Sequence, residues 1–202
     1  MVDVATSDDA SPDAGPDRRW TWVLHLFIVA TGGGVLWSVS YPGSNVSLFA
    51  VSGCASVAAG CCWLGWTVFV AGRTGGWQRW FPIGPVIGVL ALVLLCTGAP
   101  FKMRWAAGRN AFAALVAGHS LPPPGSPWER LSVPHRLGLY TIKDAGWVPG
   151  GAIFSETHGD VFYDASFAYL PSGPTRDVET AMGQSANFHH IGGDWYRWSA
   201  TS

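Results

Sequence analysis

Two long stretches of this 202-residue chain contain no Asp, Glu, Lys or Arg: residues 20–72 and residues 80–101. Charged residues make up only 12% of the whole and hydrophobic ones 49%, a balance outside the soluble norm. An uncharged apolar run reads as a membrane-spanning helix once it reaches about 20 residues, enough at a rise of about 1.5 Å each to cross about 30 Å of hydrocarbon. The missing charge therefore excludes a wholly soluble chain and makes the lipid bilayer the first partner.

Other absences narrow the chemistry. Cys54, Cys61, Cys62 and Cys96 all fall in the uncharged stretches, so the last hundred residues have no cysteine with which to form disulfides, and no CxxC zinc spacing exists anywhere. Ser155 and Ser185 sit in no GxSxG elbow. "TGGGV" lacks the lysine of a phosphate-binding loop and lies inside an apolar run. His25 is the one histidine in the first run, and without an Asp or Glu in any span it has no proton-relay partner. Residues 102–202 carry eight acids and eight bases, a neutral balance that gives no support to nucleic-acid binding. No cofactor is implied.

What is present divides the chain. Residues 1–19 hold five Asp, two Pro and little of any bulk, the composition of a disordered tail. "YPGSNVS" breaks the first apolar run with turn residues, so three spans are expected at 20–41, 48–71 and 81–100, together a transmembrane domain over 20–101. Trp20, Trp22, Trp37, Tyr41, Trp77, Trp80 and Trp105 fall near the expected span ends, where aromatic rings sit at headgroup level. Arg18, Arg19, Arg73 and Arg79 belong to one face of the bilayer and Lys102, Arg104 and Arg109 to the other. This asymmetry places the N-terminus in the cytoplasm and residues 102–202 outside it, in a multi-pass plasma-membrane protein. Small residues recur at helical spacing in Ala30 with Gly34, Ser56 with Gly60, and Gly84 with Gly88, positions that let helices approach closely in lipid.

Beyond the spans, Phe101, Trp105, Phe112, Leu115 and Val116 share one stripe of an amphipathic helix, which either lies on the membrane or covers a sheet. "LPPPGSP" ends it in an extended linker. From Arg136 onward five runs rich in β-branched and aromatic residues, "RLGLYTIKD", "GGAIFSETH", "VFYDASFAYL", "ANFHHI" and "DWYRWSA", alternate with turn signals. The expectation is an extracytoplasmic α+β domain over 102–202: an amphipathic helix packed on a small antiparallel meander, with a short helix near "TRDVETAMG". Along the third run Val161, Tyr163, Ala165, Phe167 and Tyr169 share a face, leaving Asp164 and Ser166 on a wet one.

The stretches "LGLY" at 137–140, "VPGG" at 148–151, "FAYLPSGP" at 167–174 and "FHHIGGDWYRW" at 188–198 carry a resemblance to a family of small three-span membrane proteins of high-GC Gram-positive bacteria. The resemblance covers the last third of the chain and implies the architecture and a bacterial source; it implies no reaction.

Two sites compete. A metal site, and with it a metal-dependent hydrolase, would draw on His158, Asp160 and one of His189 and His190, with Asp164 as a further candidate. Adjacent strand residues point to opposite faces, so only one of the histidine pair, taken as His190, can join; the simpler account makes Gly159-Asp160 and Gly192-Gly193 hairpin turns. In "DWYRW", Trp195 and Arg197 share one face and Tyr196 and Trp198 the other, so one pair is expected to face away from the core and to bind an envelope protein or a cell-wall polymer. A non-enzymatic, membrane-anchored envelope protein is the leading expectation, with a structural subunit of a membrane complex as a third reading.

Overall fold

The computed structural model describes residues 18–76, 78–123, 125–157, 163–182 and 186–201. The first helix, α1, spans Arg18–Ser38 and the second, α2, Val46–Thr74. Between them the Asn45 side chain accepts from the Leu48 amide at 2.9 Å, satisfying one of the unpaired donors that open any helix. Gly75 closes α2 with φ 66°, the left-handed conformation that glycine adopts without steric cost. Two helices, Arg19–Ser38 and Val46–Thr74, are long and apolar enough to cross a membrane.

The expected third span, 81–100, is broken. Its helix α3 covers only Ile83–Cys96, about 21 Å of rise. Gly98, at φ 63°, ends the hydrogen-bond ladder, and Pro100 opens the next helix, α4, Ala99–Ala117, near its first position, where no amide donor is needed. The pair α3 and α4 meets at a 58° bend, so the helices able to cross a membrane number two, or three with the bent pair taken as one.

Helix α1 packs on both α2 and α3. The small residues divide by what faces them. A Cβ on Gly34 would lie 2.6 Å from Ser52 Oγ, and one on Gly84 would lie 2.6 Å from the Trp63 ring, whereas Gly60 and Gly88 have nothing within 4 Å. Gly34 and Gly84 are thus close-approach points inside the bundle; Gly60 and Gly88 border an open groove of about 460 Å³ between the helices. His25 holds the Thr21 carbonyl at 2.7 Å through Nδ1, an i to i−4 bond on its own helix.

The rest of the chain is a sheet of seven antiparallel strands: β1 Glu129–Arg130, β2 Arg136–Leu137, β3 Tyr140–Val148, β4 Gly151–Glu156, β5 Tyr163–Tyr169, β6 Ala186–Gly192 and β7 Trp195–Thr201, with α5 at Arg176–Met182. The order is β1-β3-β4-β5-β7-β6, with β2 paired to the start of β3. This is not a simple meander. After β5 the chain runs through α5 to the far edge, lays down β6, and returns as β7 between β6 and β5.

Three local expectations change as well. "RLGLYTIKD" is two strands, because Gly138 at φ 60° turns the chain. "GWVPGG", a turn signal between the first two expected runs, gives its "GWV" to β3, leaving Pro149-Gly150 as the turn. The wet face of β5 is covered: Ser166 and Ala168 are buried, and Ser166 Oγ accepts from the Glu156 amide. The reason is that α5 caps this face. Val178 of α5 packs with Val148, Ile153, Ala168, Leu170 and Trp198.

On the opposite face α4 supplies Trp105, Phe112 and Val116 to a core with Tyr140, Phe154, Phe167 and Trp195, and Phe101 and Leu115 flank it. The apolar stripe of α4 therefore covers the sheet. Trp105 stacks on Phe167 with centroids 4.6 Å apart, and Phe112 meets Phe154 edge-on at 5.2 Å, geometries that favour aromatic pairs beyond their buried area.

Candidate binding site

Helix α4 lies over the middle of the sheet and leaves its β7-β6 edge uncovered on that side. Along α4, Lys102, Ala106, Arg109 and Ala113 fall at i, i+4, i+7 and i+11, a single stripe beside the core-facing one. The two alanines are short, so a groove of about 720 Å³ remains open between this stripe and the strands. From β7 come Trp195 and Arg197, alternate residues on one face. His189 of β6 stands directly opposite Arg197 in the ladder.

Chemically the groove is cationic and aromatic. Lys102, Arg109 and Arg197 line it with Asn110, His189, Phe101, Trp105 and Trp195. Among the described residues its lining contains no Asp or Glu. The Arg197 guanidinium carbon sits 5.6 Å from the centre of the Phe101 ring, a geometry that holds the planar cation without neutralising it. Arg197 also borders a separate cavity against the loop joining α1 to α2, beside Tyr41 and Ser44. Three cationic side chains with hydrogen-bond donors and flat apolar walls suit an anionic ligand that also offers a ring or sugar face.

The expected aromatic pairs fare differently from one another. Trp195 is buried under α4 and Trp198 under α5, with 8% and 3% exposure, so neither tryptophan is the exposed one, and Arg197 is half-buried at the groove. Tyr196 is half-buried against the α5 core. Of the four, Trp195 and Arg197 meet in the groove, while Tyr196 and Trp198 lie on the opposite side of the sheet. Lys102, Arg109, Asn110 and His189 were not expected here. The i, i+7 cations on α4 were the available signal; that β7 lies across from them is a product of the strand order.

The histidines fall on opposite faces, as alternation requires. His190 Nε2 lies 2.6 Å from the Gly193 carbonyl and its ring meets Tyr196 at 5.2 Å. That hydrogen bond needs a proton on Nε2, which occupies the nitrogen as a donor. Gly192 at φ 132° and Gly193 at φ 59° turn the hairpin, with a register shift between His190 and Gly192. His158 and Asp160 lie outside the described residues, and among the described residues no three His, Cys, Asp or Glu side chains converge to hold a metal ion.

A second feature joins the domain to the helices. Arg104 of α4 places its guanidinium carbon 3.8 Å from the Tyr41 ring centre, 5.0 Å from that of Trp37 and 5.1 Å from that of Tyr140. It donates to Ser40 Oγ at 3.0 Å and to the Leu139 carbonyl at 2.7 Å. One side chain thus ties the end of α1, the start of α4 and the β2–β3 hairpin together. Burial pushes the Tyr140 phenol well above its usual range; the Arg104 guanidinium opposes that rise, and Glu156 and Tyr41 add to it. No protein-family model, curated protein or solved structure matches the chain.

Proposed function

We propose that this protein is a non-enzymatic, membrane-anchored binding module of the bacterial envelope, whose α+β domain captures an anionic wall polymer in the groove between α4 and β6–β7. The observation that carries the reading is the groove's unopposed charge: Lys102, Arg109 and Arg197 line it with Trp195, and no carboxylate of the described lining faces them. A polymer bearing phosphodiester or carboxylate groups along a sugar backbone matches both features, charge for the cations and ring faces for the aromatics. In this reading the bent α3–α4 pair makes a third crossing, the N-terminus is cytoplasmic and the domain stands outside the plasma membrane. Kinship with the three-span proteins of high-GC Gram-positive bacteria, carried by "LGLY", "VPGG", "FAYLPSGP" and "FHHIGGDWYRW", belongs to the same proposal.

The test is binding of the detergent-purified full chain to isolated anionic wall polymer across a salt series. Ionic screening shortens from about 8 Å at 0.15 M to about 3 Å at 1 M, so binding weakens steeply with salt. Lys102→Gln and Arg197→Gln each lower affinity roughly fivefold, about 1 kcal/mol. Salt-independent binding, or two variants that bind like the parent, removes the groove from the account.

A further inference from the structure

A pocket of about 790 Å³ lies away from this groove, where the end of α1, the α3–α4 bend and the β2–β3 hairpin meet. Its lower wall is apolar and comes from the helical bundle, with Gly33, Leu36 and Leu94; its upper wall belongs to the domain and carries Arg104, Arg136 and Tyr140. Two chemistries therefore meet in one cavity, at the level where the apolar helices end.

The upper wall has unused capacity. Among the described residues no carboxylate pairs with Arg104 or Arg136, the one described ion pair being Arg130 with Asp144. Tyr140 is 1% exposed, and its hydroxyl has no hydrogen-bond partner. Arg104 Nε is buried and unpartnered too, although both of its terminal nitrogens are engaged. Buried donors are seldom left without acceptors. Here one belongs to the Arg104 cation itself and the other to the ring that cation faces.

The rim gives the direction of approach. Trp37, Met103 and Leu139 border the pocket with 58%, 70% and 52% exposure. Large apolar side chains placed so openly around a cavity face lipid at less cost than water. Leu139 sits at the tip of the β2–β3 hairpin, which thus presents an apolar point toward the bundle side.

We infer that the pocket is a binding site for one anionic phospholipid, its phosphate held by Arg104, Arg136 and the Tyr140 hydroxyl and its acyl chain lying along Gly33, Leu36 and Leu94. Charge complementarity selects the headgroup. The apolar wall continuing into the helices selects a ligand with a tail over a soluble phosphate. Trp37 and Tyr41, already against the Arg104 guanidinium, fix that cation in place, so little ordering is required when the ligand arrives. The site is separate from the α4–β6–β7 groove, and each stands or falls without the other.

The test uses the purified full chain in an uncharged detergent, titrated with dioleoyl phosphatidylglycerol or dioleoyl phosphatidylcholine and read by native mass spectrometry and thermal melting. One phosphatidylglycerol per chain is retained and raises the melting temperature; phosphatidylcholine binds at least about fivefold more weakly. Arg136→Gln, at an exposed side chain with no described partner, leaves lipid-free melting unchanged and weakens phosphatidylglycerol binding about fivefold. Tyr140→Phe reduces the lipid-induced shift while the lipid-free protein melts at least as high as the parent, because the lost hydroxyl was unpaired. Lys102→Gln has no effect on lipid retention. Equal retention of the two lipids, or retention unchanged in both Arg136→Gln and Tyr140→Phe, overturns the inference. Glycerol 3-phosphate competing as well as the intact lipid also overturns it, since a soluble anion would then suffice.

Discussion

Tyr140 concentrates the energetics of the domain's bundle-facing end in one hydroxyl. Its raised proton affinity has burial as the leading cause, and the sign of the pH effect follows from that direction. Below about pH 10 the phenol is neutral in folded and unfolded chains alike, and stability carries no penalty from it. Above about pH 10 the unfolded chain loses the proton while the folded one keeps it, so stability falls as pH rises, by about 1.4 kcal/mol per pH unit for this one group. Denaturant unfolding should show this group removing about 1.4 kcal/mol in all between pH 9 and 11 in the parent, a loss absent from Tyr140→Phe. Little of this was legible from the sequence. Arg104 counted only as a cation beside a span, and Trp37 and Tyr41 only as interfacial aromatics. Their meeting with Tyr140 joins three segments of chain, and no local spacing encodes that.

Elements were read more securely where one period governs them. The stripe Phe101, Trp105, Phe112, Leu115, Val116 placed α4 on the sheet, since a helix must bury its apolar side somewhere. Strand pairing was harder: alternation marks which residues form a strand, while β5 and β7 become neighbours only because α5 carries the chain to the far edge. The supposedly wet side of β5 was misread for the same reason, as Val178 arrives on it from a seven-residue helix. Where elements touch through glycine, substitution tests the contact. Gly138 has φ 60°, and a Cβ there would sit 2.8 Å from the Gly108 carbonyl oxygen on α4, so Gly138→Ala is expected to cost about 2 kcal/mol or more in denaturant unfolding. Gly84→Ala drives a methyl to 2.6 Å of the Trp63 ring, whereas Gly88→Ala meets open space. The first should lower the melting temperature in detergent by several degrees and the second by no more than about one. Equal effects would mean that the two positions share an environment.

Taken whole, the molecule is a small helical bundle carrying a sheet covered on both faces, by α4 on one and α5 on the other. Its apolar helices are legible as uncharged runs, yet the expected third span runs four residues past the end of α3, because Thr97-Gly98-Ala99-Pro100 is uncharged and therefore invisible to a hydropathy argument. Orientation is tested by a reporter on the C-terminus that is active only outside the cytoplasm: the cation count on the two faces predicts activity, and a silent, well-expressed fusion would put the domain on the other side. The bend at Gly98 has a mechanical consequence as well. Helix α4 is about 28 Å long and packs through its stripe on the sheet, so the angle at one left-handed residue sets where the domain stands on the bundle. A change of about 10° at that joint displaces the far end of α4 by about 5 Å, and the Arg104 contacts, lying barely two turns from the pivot, act on the short end of the lever.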